Sequence, residues 1–289
     1  MDKCEYKNLN YFFNVGYFKD LYFIDKDEKD IDKLKKRNKD ADELKKRNRY
    51  LKEFIINELM DPIEEKINNK NISTFTMETI YPGLLIGTGN IHGFGGKGEI
   101  ALGFTFDYVT GVPYIPGSSV KGCLKKAFNH KEYIVETLKG INDKIEYTEN
   151  DVESFRESIF GSDSKDCKAV SKRDIFFDAL LHKDFRDKSV MELDNITPHR
   201  QDQKQEQGKK QDSNLLELAD PNPITMIKVK PLVKFVFQFL LRESKNGDHV
   251  LAVEDKKELF RNILMDLGIG AKTNTGYGYL NAEEENASV

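Results

Sequence analysis

Two short stretches bring together residue types that can hold an anion. In GVPYIPGSSVKGCLKK, residues 111–126, two prolines deliver the chain to Gly117, Ser118 and Ser119, and a helix pattern carrying Lys121 follows. Free N–H groups at a helix start, hydroxyls and the helix dipole all suit a phosphate. Ser118 or Ser119 can equally cap the helix. A lysine in a first turn opposes the dipole unless an anion sits beside it. The spacing is not that of a G-x-x-x-x-G-K-[ST] phosphate loop. The second stretch is GIGAKTNTGYG, residues 268–278. Gly268 can end the preceding helix. Gly270, Lys272, Thr273, Asn274, Thr275, Gly276 and Gly278 go beyond a simple helix stop, and offer backbone N–H groups, hydroxyls and a cation to a phosphate.

A third glycine-rich loop, GTGNIHGFGGKG at 87–98, adds His92, Phe94 and Lys97. Phe94 could stack on a base and Lys97 could reach a phosphate. A histidine can serve as acid or base, but no catalytic partner is spelled near His92 or His199. No H-x-x-x-H, D-x-D or paired-carboxylate signature is present, so neither a metal nor a cofactor is expected. The three cysteines, Cys4, Cys123 and Cys167, are too scattered for a disulfide framework or a C-x-x-C site.

The elements that must position these loops follow from pattern. Residues 26–59 carry a narrow apolar stripe, Ile31, Leu34, Ala41, Leu44, Leu51, Ile55 and Leu59, on a highly charged background. This predicts an amphipathic helix or helical hairpin packed on the core through Leu44, Leu51, Ile55 and Leu59. Residues 72–86 read as a strand broken at Pro82-Gly83, and 101–109 alternate like a strand. Helices are predicted from about 117 to 128, near 131–139, over 149–159 and over 255–267. Strands are predicted at 173–184, at SVMELDNITPHR and within 219–241. The tract QDQKQEQGKKQDS, 201–213, lacks apolar residues and reads as a mobile insertion. Taken together, the order is strand, helix, strand, strand, helix, strand, a ferredoxin-like, RRM-related α+β core with long insertions. Residues 1–71 form an N-terminal extension, 72–281 the core domain, and 282–289 an acidic tail.

Charge is nearly balanced, 45 Lys and Arg against 49 Asp and Glu, for a net −4. The total excludes a generally basic protein but leaves room for a local basic face. No segment has the length of apolar residues a membrane span needs, and no secretory leader is evident, so a cytoplasmic location is expected.

Three stretches also carry a resemblance: GVPYIPGSSVKGCLK, the middle SIFGS, RDIFFDAL, LDNITPH and DPNPITMIKV, and the terminal GIGAKTNTGYGYL. Over about 72–281 the chain resembles the RAMP proteins of CRISPR–Cas systems, and LDNITPH with DPNPI is most similar to the sixth subunits of Cmr modules in type III-B effectors. The resemblance implies a non-catalytic subunit that contacts CRISPR guide RNA and target RNA near the guide 3′ end. It also implies neighbouring RAMP subunits and a small helical subunit as partners, in antiviral defence. Family members that cut target RNA carry an acidic residue in an early loop, and 87–98 has none. Two other readings compete. One is a metal-independent endoribonuclease processing CRISPR RNA through His92 or His199. The other is a nucleotide-binding enzyme using the glycine loops.

Overall fold

A computed structural model describes residues 6–21, 31–60, 72–90, 92–93, 98–161, 173–196 and 223–282, with the backbone alone for 31–39. Phe94, Lys97, His199, the 201–213 tract and the 283–289 tail lie outside the described residues.

The first long strand, β1 (Ile72–Thr79), buries alternate side chains, Phe75, Met77 and Thr79. Period-two burial of this kind places one face on a core. Its antiparallel partner is β6 (Lys234–Leu240), which sets Phe75 directly opposite Phe237. The two rings stack with centroids 5.5 Å apart, and Phe239 lies 5.4 Å from Phe75 on the diagonal. Such cross-strand aromatic pairs fix the register, because a one-residue slip would turn the phenylalanines to the other face. On the far side of β6 run two short strands, β2 (Ile175–Phe176) and β3 (Leu180–Leu181). The strand expected over 173–184 is therefore interrupted at Phe177, Asp178 and Ala179, and Asp178 is freed from the ladder. On the far side of β1 lies the terminal strand β9 (Leu280–Ala282). The sheet order is β2-β6-β1-β9, with β3 also beside β6, and every pairing is antiparallel.

Helices α3 (Gly117–Ala127) and α6 (Val253–Leu267) contribute apolar stripes to the same core, Val120 and Leu124 from one and Leu259, Phe260, Ile263 and Leu264 from the other. Phe260 meets Phe239 at 5.6 Å and Phe176 at 5.8 Å. Helices α4 (Lys131–Ile141) and α5 (Glu149–Phe160) pack beside them. Thr148 and Asp151 close a reciprocal capping box at the start of α5. Beneath α6 the ammonium of Lys256, fully buried, donates to Asp174 at 2.8 Å, to the Arg242 carbonyl at 2.5 Å and to Ser244 at 3.0 Å. All three of its protons are thereby satisfied, which a buried charge requires. Two hairpins complete the chain: β4 (Met191–Ile196) with β5 (Ile224–Val229), and β7 (Ser244–Asn246) with β8 (His249–Leu251).

Residues 101–109 do not join a ladder. The bridges around them are single ones, Ile100 to Thr225 and Phe106 to Pro113 among them, and the segment turns back on itself around Asp107 to Gly111. The aromatic N-terminal stretch, in contrast, is built in. Helix α1 (Leu9–Asn14), the turn Gly16–Phe18 and α2 (Ile31–Glu53) bury Leu9, Phe12, Phe13, Tyr17, Leu44 and Leu51 in the same cluster as the central sheet. The helix ends at Glu53, two residues short of Ile55, so the stripe does not continue to Ile55 and Leu59 as a helix face. Beyond it the chain is extended, so burial alternates: Phe54 and Ile56 point in while Ile55 is 50% exposed. Ile55 thus leaves the expected packing set, and Leu59 is only half-buried.

The contrast between Leu51 and Ile55 is testable. Leu51→Asp should lower stability by about 2–4 kcal/mol, since it places a carboxylate in a filled core. Ile55→Asp should stay within about 0.5 kcal/mol of the parent chain. Urea denaturation of the two variants measures both values, and equal losses would contradict the break in the helix at Glu53.

Candidate nucleic-acid interface

At the mouth of α3 the residue preceding the helix is Pro116, which has no side-chain acceptor to cap it. The cap comes from elsewhere: the Gly117 N–H donates to the Asp178 carboxylate at 2.7 Å. Ser118 and Ser119 are therefore not N-caps. They occupy the first turn, both exposed, and neither hydroxyl bonds a described residue. Gly117 is required for a different reason than anion access. A Cβ there would collide with the carbonyls of Phe176 and Phe177, so only glycine lets the helix start against β2. Lys121 is half-buried with its ammonium 5.8 Å from the Phe176 ring centroid, within cation–π range. The helix mouth thus presents two free hydroxyls, the Ser118 N–H and a lysine, with one carboxylate already on the Gly117 N–H.

The terminal glycine loop is divided between inward and outward backbone. The N–H groups of Ile269, Ala271 and Gly278 donate to Gly278, Leu85 and Gly83 carbonyls at 2.8 Å each. Those of Thr275, Gly276 and Tyr277 close a short turn on Lys272 and Thr273. Among the described residues, the N–H groups of Gly270, Lys272, Thr273 and Asn274 have no acceptor. Lys272 is in the left-handed region at φ 61°, and no described carboxylate pairs with it. The loop therefore keeps a compact set of donors and one cation, which is fewer free N–H groups than its glycine content suggests. Gly278, at φ 78°, packs so closely that a Cβ would collide with the Ile269 carbonyl oxygen.

A contact absent from any motif reading fixes this loop. The Tyr277 hydroxyl donates to Asp194 at 2.8 Å, and Lys228, itself buried, donates to the same carboxylate at 2.6 Å. This ties the LDN segment on β4 and the IKV segment on β5 to the GYG segment. Burial would raise the Asp194 pKa, but the bonds from Lys228, Tyr277 and the Asn195 N–H hold it below its usual range. Tyr277 moves the other way, pushed up by burial first, then by Asp194, and last by the neighbouring Tyr81.

The two stretches approach each other across α3. The Cys123 thiol, in the second turn, donates to the Gly268 carbonyl at 3.2 Å. The 87–98 loop goes elsewhere. His92 is buried, with Nδ1 2.7 Å from the Ile100 carbonyl and Nε2 2.7 Å from that of Phe13, and its ring stacks on Phe13 at 3.7 Å. A neutral imidazole can donate to one of these carbonyls and a protonated ring to both. Burial pushes its pKa down, opposed by the two carbonyls and the Glu99 carboxylate. His92 is withdrawn from the candidate interface and from any role as an accessible acid or base, because both nitrogens face backbone and none faces a cleft. Its surroundings join the N-terminal segment to the core: the Tyr17 hydroxyl donates to Asn48 at 2.6 Å and accepts from the Ile100 N–H, while Asn48 donates to the Gly98 carbonyl.

With this geometry in place, comparison with known proteins identifies the lineage. The profile of the RAMP superfamily matches residues 76–281. The chain belongs to the RAMP superfamily. A curated relative, CRISPR system Cmr subunit Cmr6 of Pyrococcus furiosus, is 27% identical over 213 residues, a match spanning 59% of this chain and 58% of the relative. Among solved structures, a chain in the cryo-EM structure of type III-B Cmr-beta bound to cognate target RNA superposes with a TM-score of 0.52 at 22% identity, covering 93% of this chain and 80% of that chain. The crystal structure of Cmr6 from Pyrococcus furiosus gives a TM-score of 0.42 at 20% identity, covering 74% of this chain and 99% of that one. The RAMP match spans both candidate loops and the Asp194–Lys228–Tyr277 contact. The described residues hold no group of His, Cys, Asp or Glu arranged for a metal, and no described helix is long and apolar enough to cross a membrane.

The lowered Asp194 pKa gives a pH dependence of defined sign. A carboxylate depressed in the folded state adds stability above the ordinary carboxylate pKa of about 3.9, and that stability is lost as pH falls through the lowered value. Asp194→Asn should therefore remove part of the acid sensitivity of folding below pH ~4, seen as a flatter dependence of urea midpoint on pH. An unchanged slope would show that the contact with Lys228 and Tyr277 is not formed in solution.

Proposed function

We propose that this RAMP protein is a non-catalytic, RNA-binding subunit of a type III-B CRISPR effector of the Cmr kind. On this reading it holds the backbone of guide RNA, or of the guide–target duplex near the guide 3′ end, against the mouth of α3 and the 268–278 loop. The observation that carries the reading is the contact between α3 and the start of the terminal glycine loop, the Cys123 thiol on the Gly268 carbonyl, which brings together the two stretches that bear the free donors. The homology to Cmr6 and the likeness to a chain of an RNA-bound Cmr complex support it. The sheet order β2-β6-β1-β9, with α3 and α6 lying between its strands in sequence, supports reading the core as ferredoxin-like. Neighbouring RAMP subunits and a small helical subunit are the protein partners this reading assigns, and the cytoplasm is its compartment.

The donors expected to meet phosphate are the hydroxyls of Ser118 and Ser119, the N–H groups of Ser118, Gly270, Lys272, Thr273 and Asn274, and the ammoniums of Lys121 and Lys272. The Gly117 N–H is not among them, since Asp178 occupies it. Phosphate contacts of this kind are independent of base identity, as a subunit that must accept any guide requires. The endoribonuclease reading loses His92, whose nitrogens are both engaged on backbone.

The double variant Lys121→Ala, Lys272→Ala should weaken binding to RNAs of unrelated sequence by similar factors. It should also reduce the slope of log K against log salt by at most about two units. Electrophoretic mobility or anisotropy titrations at several salt concentrations measure both. Undiminished binding, or loss confined to one sequence, contradicts the phosphate site. Cleavage of repeat-derived RNA in EDTA by the purified chain contradicts the non-catalytic assignment.

A further inference from the structure

Beside the glycine loop, two turns carry large apolar side chains into solvent. Tyr81 is 82% exposed and Leu232 is 67% exposed. The turns lie side by side at one end of the central sheet: the Leu232 N–H donates to the Thr79 carbonyl at 2.7 Å, and the Thr79 hydroxyl donates to the Lys230 carbonyl at 2.7 Å. The first turn also abuts the loop. The Gly83 carbonyl accepts from the Gly278 N–H at 2.8 Å, and Pro82 lies 3.6 Å from where a Cβ on Gly276 would stand. Leu232 is held in the left-handed region at φ 63° after Pro231, a conformation that glycine adopts at far lower cost than leucine.

Two exposed apolar side chains contribute little to folding, and the backbone around Leu232 is unfavourable for its residue type. What lies next to them defines the partner's chemistry. On the loop side stand the four unpaired N–H groups of 270–274 and the Lys272 ammonium, donors and positive charge that select an anionic chain. A ligand that offers phosphate to the loop and a flat apolar face one step away is a single-stranded nucleotide chain. Aromatic rings beside a backbone-binding groove stack bases with little regard to sequence.

We propose that Tyr81 is a stacking platform for an unpaired nucleobase of the RNA whose phosphate rests on the 268–278 loop, with Leu232 at its rim. This rests on the RNA-binding reading above and adds to it the recognition of a base face rather than of backbone. It places an unpaired or splayed nucleotide, instead of continuous duplex, at this end of the sheet.

The chain contains no tryptophan, so Tyr81→Trp creates a single fluorescent reporter at the site. In the full-length chain at low salt, addition of single-stranded RNA should quench this tryptophan, and the same RNA with abasic sites should bind without quenching. Tyr81→Ala should weaken binding of the intact RNA by about 5- to 100-fold with an unchanged salt slope, and Tyr81→Phe should restore it. RNA that binds Tyr81→Trp without quenching overturns the platform and leaves the phosphate site standing. Normal affinity in Tyr81→Ala, with poor incorporation of that variant into its complex, overturns it in favour of a protein contact. Failure of the unsubstituted chain to bind any RNA overturns both readings.

Discussion

Backbone packed directly on backbone at Gly278 is the constraint from which the candidate site follows. The Gly278 N–H reaches the Gly83 carbonyl, its own carbonyl receives the Ile269 N–H, and Ala271 bonds Leu85 beside them. No side chain fits between these strands of chain at position 278. The result is that the end of α6, the turn after β1 and the start of β9 become one unit. Most of the N–H groups of 268–278 are bonded within the protein. Those of Gly270, Lys272, Thr273 and Asn274 have no acceptor among the described residues. Tyr277, held inward by the same geometry, reaches Asp194 and Lys228 and so fixes the β4–β5 hairpin to the loop. A polar contact that buries a lysine is justified energetically only when its charge is answered, and here the same carboxylate answers Lys228 and Tyr277.

A comparable logic governs the N-terminal segment. Its aromatic residues pack into the cluster of the central sheet, and three polar side chains, Tyr17, Asn48 and His92, satisfy backbone groups of the 98–100 and Phe13 segments that the packing would otherwise strand. Arg47 adds to this by donating to the carbonyls of Gly16 and Tyr17. The glycine-rich 87–98 loop, similar in composition to the terminal one, is thereby drawn at His92 into a structural role.

Patterning made the main elements legible. The alternation in β1, the stripe in α6 and the Pro-Gly-Ser-Ser entry to α3 were each readable because local spacing fixes which face is buried. What escaped depended on residues distant in sequence. The cap on α3 is Asp178, which no local rule links to Gly117; the only hint was that Pro116 has no side-chain acceptor. Ile55 continues the stripe on paper, but the helix stops at Glu53 and the period changes from helical to alternating. His92 looked available because its neighbours are glycines, whereas its burial is set by Phe13 and Tyr17, about eighty residues earlier. Asp194, Lys228 and Tyr277 lie on separate segments that only the topology brings together.

The most direct measurement of the central claim is amide hydrogen exchange of the full chain with and without single-stranded RNAs of unrelated sequence. The account predicts slowed exchange at Ser118, Gly270, Lys272, Thr273 and Asn274 for every RNA. The N–H groups of Ile269, Ala271 and Gly278, already bonded internally, should be protected with or without ligand. Protection that spares both segments, or that reaches them for one sequence only, would contradict a phosphate site built from the mouth of α3 and the terminal glycine loop.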